Sequence, residues 1–330
     1  MYVLAGMRDR LLRVRTDIPQ ITTHLSGRAI ECVDANEAWA FCGTFESGLF
    51  RREDDGVWER VGTAALPDSV TAVELSPHDP AVVWVGTEPS RVFRSVDAGE
   101  NWVECEGLTD VPSAEHWSFP PRPDTHHVRC IEQDPTDADR LYVGIEAGAL
   151  VLSPDGGERW IDRPANANRD NHQLATHADA PGRVYSAAGP GYAESDDWGE
   201  HWTQLQDGLE HSYVWSVAVA PEEPDTVLVS AASGARAAHR MPDSYVYRRH
   251  GDGEWSRIGS AIASGSGLPT GEGVFRYALT SGERAGEFYA LSNTGLFQST
   301  DAGTTWGRVD VEWPEACTEM TARGLAVVAE

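Results

Sequence analysis

The sequence predicts an all-β fold, one closed propeller of seven blades. Three observations carry this expectation: an eight-residue turn motif recurs along the chain, strand-like segments precede each copy at a regular interval, and the two chain ends complement each other as parts of one further blade.

The turn comes first. Four segments read S-x-D-x-G-x-x-W in full: Ser95 to Trp102, Ser153 to Trp160, Ser195 to Trp202 and Ser299 to Trp306. Two degraded copies end at Trp58 and Trp255. The chemistry is that of a tight turn. Asp97, Asp155, Asp197 and Asp301 can accept hydrogen bonds from amides of their own turns, and the glycine takes the positive φ the bend requires. Trp102, Trp160, Trp202 and Trp306 then pack beneath as the next strand begins.

Upstream of each turn lie two strand signals, as in Arg140 to Gly144 and Ala149 to Ser153. A third precedes them and ends in an Asp- and Pro-rich loop, as in Val128 to Pro135, and a fourth starts at the Trp. Successive Trp residues stand 42 to 58 positions apart, a blade's length rather than the 20–29 residues of a leucine-rich solenoid. Six blades follow, at about residues 28–64, 68–107, 127–164, 171–209, 213–260 and 271–313. Residues 1–26 lack a first strand, and 315–330 supply one. Joined, they make the seventh blade and remove the open sheet edges that an unclosed ring would expose.

Composition agrees with one large all-β unit. The chain has 330 residues, 41% of them hydrophobic, with 12 Trp for the core and 32 Gly and 19 Pro for turns. Acidic residues number 52 against 26 basic ones, every basic residue is Arg, and the net charge is −26. The acids are spread evenly, which argues against a disordered acidic tail. Such a Lys-free acidic surface resembles proteins of halophiles, where molar salt shortens the Debye length to about 3 Å and screens surface repulsion. The same field excludes general nucleic-acid binding. The start has no apolar run suited to a signal peptide and no stretch of about 18 apolar residues follows, so a cytoplasmic protein without membrane contact is expected, as a monomer. The five cysteines are odd in number, show no CxxC or zinc spacing and read as core thiols, and no cofactor is expected.

On its repeats, the sequence resembles the BNR or Asp-box propellers of the WD40/YVTN/BNR-like repeat superfamily, which include sialidases, the sortilin ectodomain and photosystem assembly factors. The stretches His127 to Ile131, Leu141 to Gly148, Asn171 to Leu174 and Tyr213 to Val217 are similar to a bacterial and archaeal group labelled glycosyl hydrolase or sialidase-like. The resemblance implies the propeller fold and places the Asp boxes on the face opposite any site. A sialidase would also carry an Arg-Ile-Pro near its first blade, but Asp17 stands where that Arg would be.

Aligning the blades puts Arg28, Thr71, Arg129, His172, Trp215 and Arg276 in one register of the innermost strands, and Arg323 joins them by strand alternation. Two readings follow. The arginines form a cationic channel mouth for a small anionic ligand, since the guanidinium fork matches carboxylate and phosphate; or they pair with Glu46, Glu88 and Glu146 in the adjoining loops. The long loop from Gly107 to His127 and an insertion at 234–244 are expected at the rim. His116, His127 and His172, with Asp124 or Asp170, are candidate metal ligands, though nothing in their spacing forces convergence. Glu146 and His172 are candidate acid–base groups. The expected function is a module binding a ligand or partner. The alternatives are a glycoside hydrolase acting on an anionic sugar, and an assembly factor that docks a protein.

Overall fold

A computed structural model describes residues 1–53, 56–261 and 267–328. Its strands form seven sheets arranged as blades of one propeller. In blade 1 the C-terminal strand Ala322–Val328 lies innermost and pairs antiparallel with Tyr2–Met7, from Tyr2 opposite Val328 to Gly6 opposite Gly324. Arg10–Arg15 and Gln20–His24 complete that blade. The two ends therefore close the ring as the half-blades predict.

Blades 2 to 7 begin with the inner strands Ala29–Ala35, Val70–Leu75, Val128–Gln133, Asn171–Thr176, Tyr213–Ala220 and Ala278–Ser281. Their second strands are apolar on both faces because each lies between neighbouring blades; Leu141–Ile145 is buried at every position. Seven apolar clusters fill the gaps between blades. Tyr142, Leu150 and Leu152 meet Leu174, Val184 and Trp202 between blades 4 and 5, and Val14 and Leu12 meet Tyr289 and Leu291 at the closure. Each fully buried side chain of this size contributes roughly 1.5–3 kcal/mol.

The S-x-D-x-G-x-x-W turns have the geometry their residues imply. Ser95 Oγ donates to Asp97 Oδ1 at 2.8 Å and accepts from the Gly99 amide at 2.8 Å, while Asp97 Oδ1 accepts from the Asn101 amide at 2.8 Å. The other three copies repeat these bonds at 2.8–3.1 Å. Gly303 shows why the glycine is required: its φ is +79°, and a Cβ there would lie 2.8 Å from Leu228 Cδ2 of blade 6. Trp102, Trp202 and Trp306 each donate the indole N–H to the turn glycine's carbonyl at 2.9–3.0 Å.

Blade 4 departs from expectation. Trp160 donates instead to the Glu106 carbonyl at 3.0 Å, and the fourth strand shrinks to a bridge between Leu152 and Ile161. The chain after Trp160 is engaged elsewhere: Asp162 accepts from Ser113 N and Oγ at 2.8 and 2.5 Å, anchoring the 107–127 loop. Blade 6 is enlarged by Pro269–Glu272, which pairs with Asp243–His250, and its 234–244 insertion contains the short helix Ala235–His239. The degraded turn ending at Trp58 runs through residues 54–55, outside the described residues.

Candidate functional site

In six blades the inner strand carries a bulge at an equivalent position: register shifts fall at Ile30/Cys32, Val70/Ala72, Val128/Cys130, Asn171/Gln173 and Val214/Ser216, and beside Gly324 in blade 1. A bulge leaves one residue outside the ladder and re-aims its side chain. The residues so displaced are Glu31, Thr71, Arg129, His172, Trp215 and Arg323. Blade 7 departs from the expected register: no shift falls in its inner strand, where Ala278 pairs with Leu291, and Arg276 stands two residues before Ala278, one further out than the displaced residues of the other blades.

Blade 2 corrects the expected ring. Glu31, not Arg28, occupies the register; Arg28 sits before the strand in a turn closed by its amide on the Leu25 carbonyl, exposed, with Nη1 donating to Ser47 Oγ at 3.1 Å. The signal that finds Glu31 is a glycine. Gly6, Gly43, Gly86 and Gly144 of the second strands pair with the residue just after each bulge, and at Gly43 and Gly144 an added Cβ would press on Cys32 or Cys130.

The ring residues gather at the channel end where chains enter the inner strands and where second strands turn into third strands. Arg129, His172, Trp215, Arg323 and Glu31 line a cavity of about 250 Å³. The arginines differ in their partners. Arg323 Nη1 donates to Glu31 Oε2 at 3.2 Å, and Arg129 Nε lies 3.8 Å from Glu146 Oε2. Arg276 is 1% exposed, none of its three guanidinium nitrogens has a hydrogen-bond partner among the described residues, and its Cζ stands 3.7 Å over the Trp215 ring. Burial, then the like charges of Arg323 and Arg129, push its basicity well below the ordinary value. Glu46, expected as a counterion, is exposed, with its backbone amide on Ser69 Oγ at 3.3 Å and no side-chain ion pair among the described residues.

Glu146 is the hub of the blade 4 side. His127 Nε2 lies 2.9 Å from Glu146 Oε2, and His127 Nδ1 lies 3.7 Å from Glu88 Oε2. Burial acts to raise the Glu146 carboxyl, but the His127 hydrogen bond, with the charge of Arg129 beside it, outweighs burial and holds the group well below the usual carboxylate range. His172 is buried, with Nδ1 2.6 Å from the Val214 carbonyl and Nε2 3.6 Å from Asp170 Oδ2.

The 107–127 loop packs on the rim. Trp117 is buried in the core of blades 3 and 4, and Arg122 forks onto Glu88, with Nε to Oε1 at 2.7 Å and Nη2 to Oε2. Of the three histidines named as possible metal ligands, the structure brings His127 and His172 to Glu146 and leaves His116 apart. His116 is exposed beside Glu115 and lines a separate cleft against blade 4. The insertion helix covers the other side of the mouth: Tyr213 Oη and His239 Nε2 are 3.2 Å apart, and His239 meets the Trp215 ring edge-on.

Deeper in the channel lies a feature the ring alignment overlooked. Asp34, Glu74 and Glu132 stand three residues beyond the bulge in blades 2, 3 and 4, and each carboxylate reaches the inner strand of the next blade. Asp34 Oδ2 accepts from the Leu75 amide at 2.7 Å, and Glu132 Oε1 accepts from Thr176 N and Oγ1 at 2.9 and 2.7 Å. Glu74 is bonded by the backbone at Gln133. Burial raises all three, Asp34 to about 6 and Glu132 to about 7 against these bonds, and Glu74 further under the charges of Glu132 and Asp34. They fasten blades together.

Fold and mouth define a seven-bladed β-propeller with a charged, enclosed channel entrance. No family profile matches the chain. A xyloglucanase of Hypocrea jecorina is 28% identical over 174 residues, 51% of this chain and 18% of that protein. Among solved structures, the GH74 enzyme of Niastella koreensis aligns over 92% of this chain and 51% of its own, with a TM-score of 0.70 and 15% identity. YCF48 from Cyanidioschyzon merolae aligns over 85% of both chains, with a TM-score of 0.58 and 11% identity. The chain thus spans about half the length of that GH74 enzyme and under a fifth of the xyloglucanase. These likenesses are likenesses of fold.

Proposed function

We propose that this protein is an Asp-box propeller, adapted to high salt, whose channel mouth binds a small anionic ligand bearing a carboxylate or phosphate. Arg129, Arg276 and Arg323 supply the charge, and Trp215 supplies a flat apolar surface. One observation carries the reading: Arg276 is fully enclosed, and its donors have no hydrogen-bond partner among the described residues. A buried, unsatisfied guanidinium costs several kcal/mol, and a fold retains such a group where a ligand completes it. The Arg323–Glu31 and Arg129–Glu146 contacts are loose enough to exchange for that ligand.

The rival reading, a glycoside hydrolase, draws support from the GH74 likeness. Its general acid must be held protonated near neutral pH. At the mouth Glu146 is instead held ionised, and the carboxyl raised to about 7, Glu132, is committed to the neighbouring blade. A docking role draws support from the likeness to YCF48, one structure of which is described as bound to a D1 peptide.

The test is thermal unfolding in molar salt with glucuronate, phosphate and a neutral sugar as separate additions. A ligand at 100 times its Kd stabilises by about 2.7 kcal/mol. Stabilisation by the anions and not by the neutral sugar is expected. No response to any of them overturns the small-anion reading, and release of reducing sugar from xyloglucan or a uronide would establish the hydrolase.

A further inference from the structure

His172 stands between two carboxylates with one ring nitrogen unsatisfied. Its Nδ1 lies 2.6 Å from the Val214 carbonyl, which fixes the tautomer: a carbonyl can only accept, so Nδ1 carries the proton. The neutral ring then presents a lone pair at Nε2. That atom is buried, has no hydrogen-bond partner among the described residues, and faces Asp170 Oδ2 at 3.6 Å. Two acceptors aimed at each other repel unless a cation lies between them. A proton on Nε2 would serve poorly, because 3.6 Å exceeds the roughly 3.2 Å limit of an N–H···O bond.

A third donor completes the group. A ring nitrogen of His172 and one oxygen each of Glu146 and Asp170 all lie within 4.8 Å of one another. Ligands held at ~2.0–2.2 Å by one tetrahedral ion are ~3.4 Å apart, so a small closure brings the three onto one centre. The outer contacts are those that orient metal ligands. Val214 holds His172; the Ala147 amide donates to Asp170 Oδ1 at 2.8 Å, leaving Oδ2 turned to the histidine; and His127 holds Glu146 Oε2 at 2.9 Å.

We propose that Glu146, Asp170 and His172 form a binding site for a divalent first-row transition metal, with the remaining positions open to water or an exogenous ligand. One imidazole and two carboxylates suit Mn²⁺, Co²⁺ or Zn²⁺, and the two negative charges neutralise the ion. The site stands whether or not the arginines bind an anion. A second group, Asp197, Glu200 and His201, lies exposed on an Asp-box turn, where His201 Nδ1 is already bonded to Asp197 Oδ2 at 2.7 Å. It supplies the control.

The full chain is stripped with chelator in molar salt, desalted and titrated with Co²⁺, followed by visible ligand-field absorption, and with Zn²⁺ by calorimetry. Wild type is expected to bind one equivalent. Asp170→Asn and His172→Gln should each weaken binding at least ~30-fold, while His201→Ala should leave it unchanged, with near-ultraviolet dichroism reporting folding. Absence of binding up to millimolar metal overturns the proposal, as does binding that survives Asp170→Asn and His172→Gln or that disappears in His201→Ala. Should His172→Gln fail to fold, Asp170→Asn decides: one equivalent bound at undiminished affinity overturns the site.

Discussion

Replacing Arg276 by Met should make the protein more stable and remove its response to anions. The side chain is 1% exposed, its three guanidinium nitrogens lack hydrogen-bond partners among the described residues, and its Cζ stands 3.7 Å over the Trp215 ring. Burying an ion costs several kcal/mol even after relaxation, and a desolvated cation–π contact returns about 2. The net burden is roughly 2–4 kcal/mol. Met fills much of the same space without charge, and imperfect packing takes back about 1 kcal/mol. Arg276→Met is therefore expected to unfold about 1–3 kcal/mol less readily in urea, followed by tryptophan fluorescence in molar salt. At ~2–4 °C per kcal/mol this raises Tm by roughly 2–12 °C. The anion-induced shift of wild type should vanish in the same variant. A variant less stable than wild type by more than about 1 kcal/mol, with the anion shift intact, would refute both the desolvation argument and the role of the mouth.

Glu132→Gln should stabilise the protein at pH 8 and do so less at pH 5. The folded carboxyl lies above its unfolded value, so folding takes up a proton, and its contribution falls as pH rises from about 4.5 to about 7. The shift corresponds to an upper value of about 3 kcal/mol, with roughly 1–2 expected because Asp34 and Glu74 share the burden; a pH-independent difference between variant and wild type in urea melts would contradict it. Gly303→Ala places a Cβ against Leu228 at positive φ and should lose about 1–3 kcal/mol; an unchanged melt would remove the turn's packing role. Deleting residues 321–330 removes the innermost strand of blade 1 and should open the ring, seen as a lower urea midpoint; a truncated chain unfolding no more readily than wild type counts against closure by the termini. With a net charge of −26, lowering salt from 3 M to 0.1 M should depress Tm, and a Tm indifferent to salt would speak against adaptation to it.

The repeat was legible because it is local. A Ser, an Asp and a Gly within five positions make their turn from their own backbone, whatever surrounds them, and four such turns count off blades. The terminal half-blades were legible for a similar reason, since a sheet edge demands a partner and only the other end offers one. Blade 4 was misread at its outer edge because Asp162 is drawn to Ser113, a contact across 49 positions that nothing near Trp160 announces.

At the mouth the division is sharper. The sequence by itself determined that Arg129, His172, Trp215 and Arg323 come from equivalent places in their blades, because strand periodicity carries register. It misplaced blade 2 by three residues, where the bulge selects Glu31. Only the tertiary structure decided which of these groups are satisfied. Pairing depends on side chains from different blades meeting across the channel: Arg323 finds Glu31 from the far end of the chain, Glu146 gathers His127 and Arg129, and Arg276 lies over the Trp215 ring with no hydrogen-bond partner among the described residues. The chemistry of the mouth lies in those distances, which the channel sets and no single blade contains.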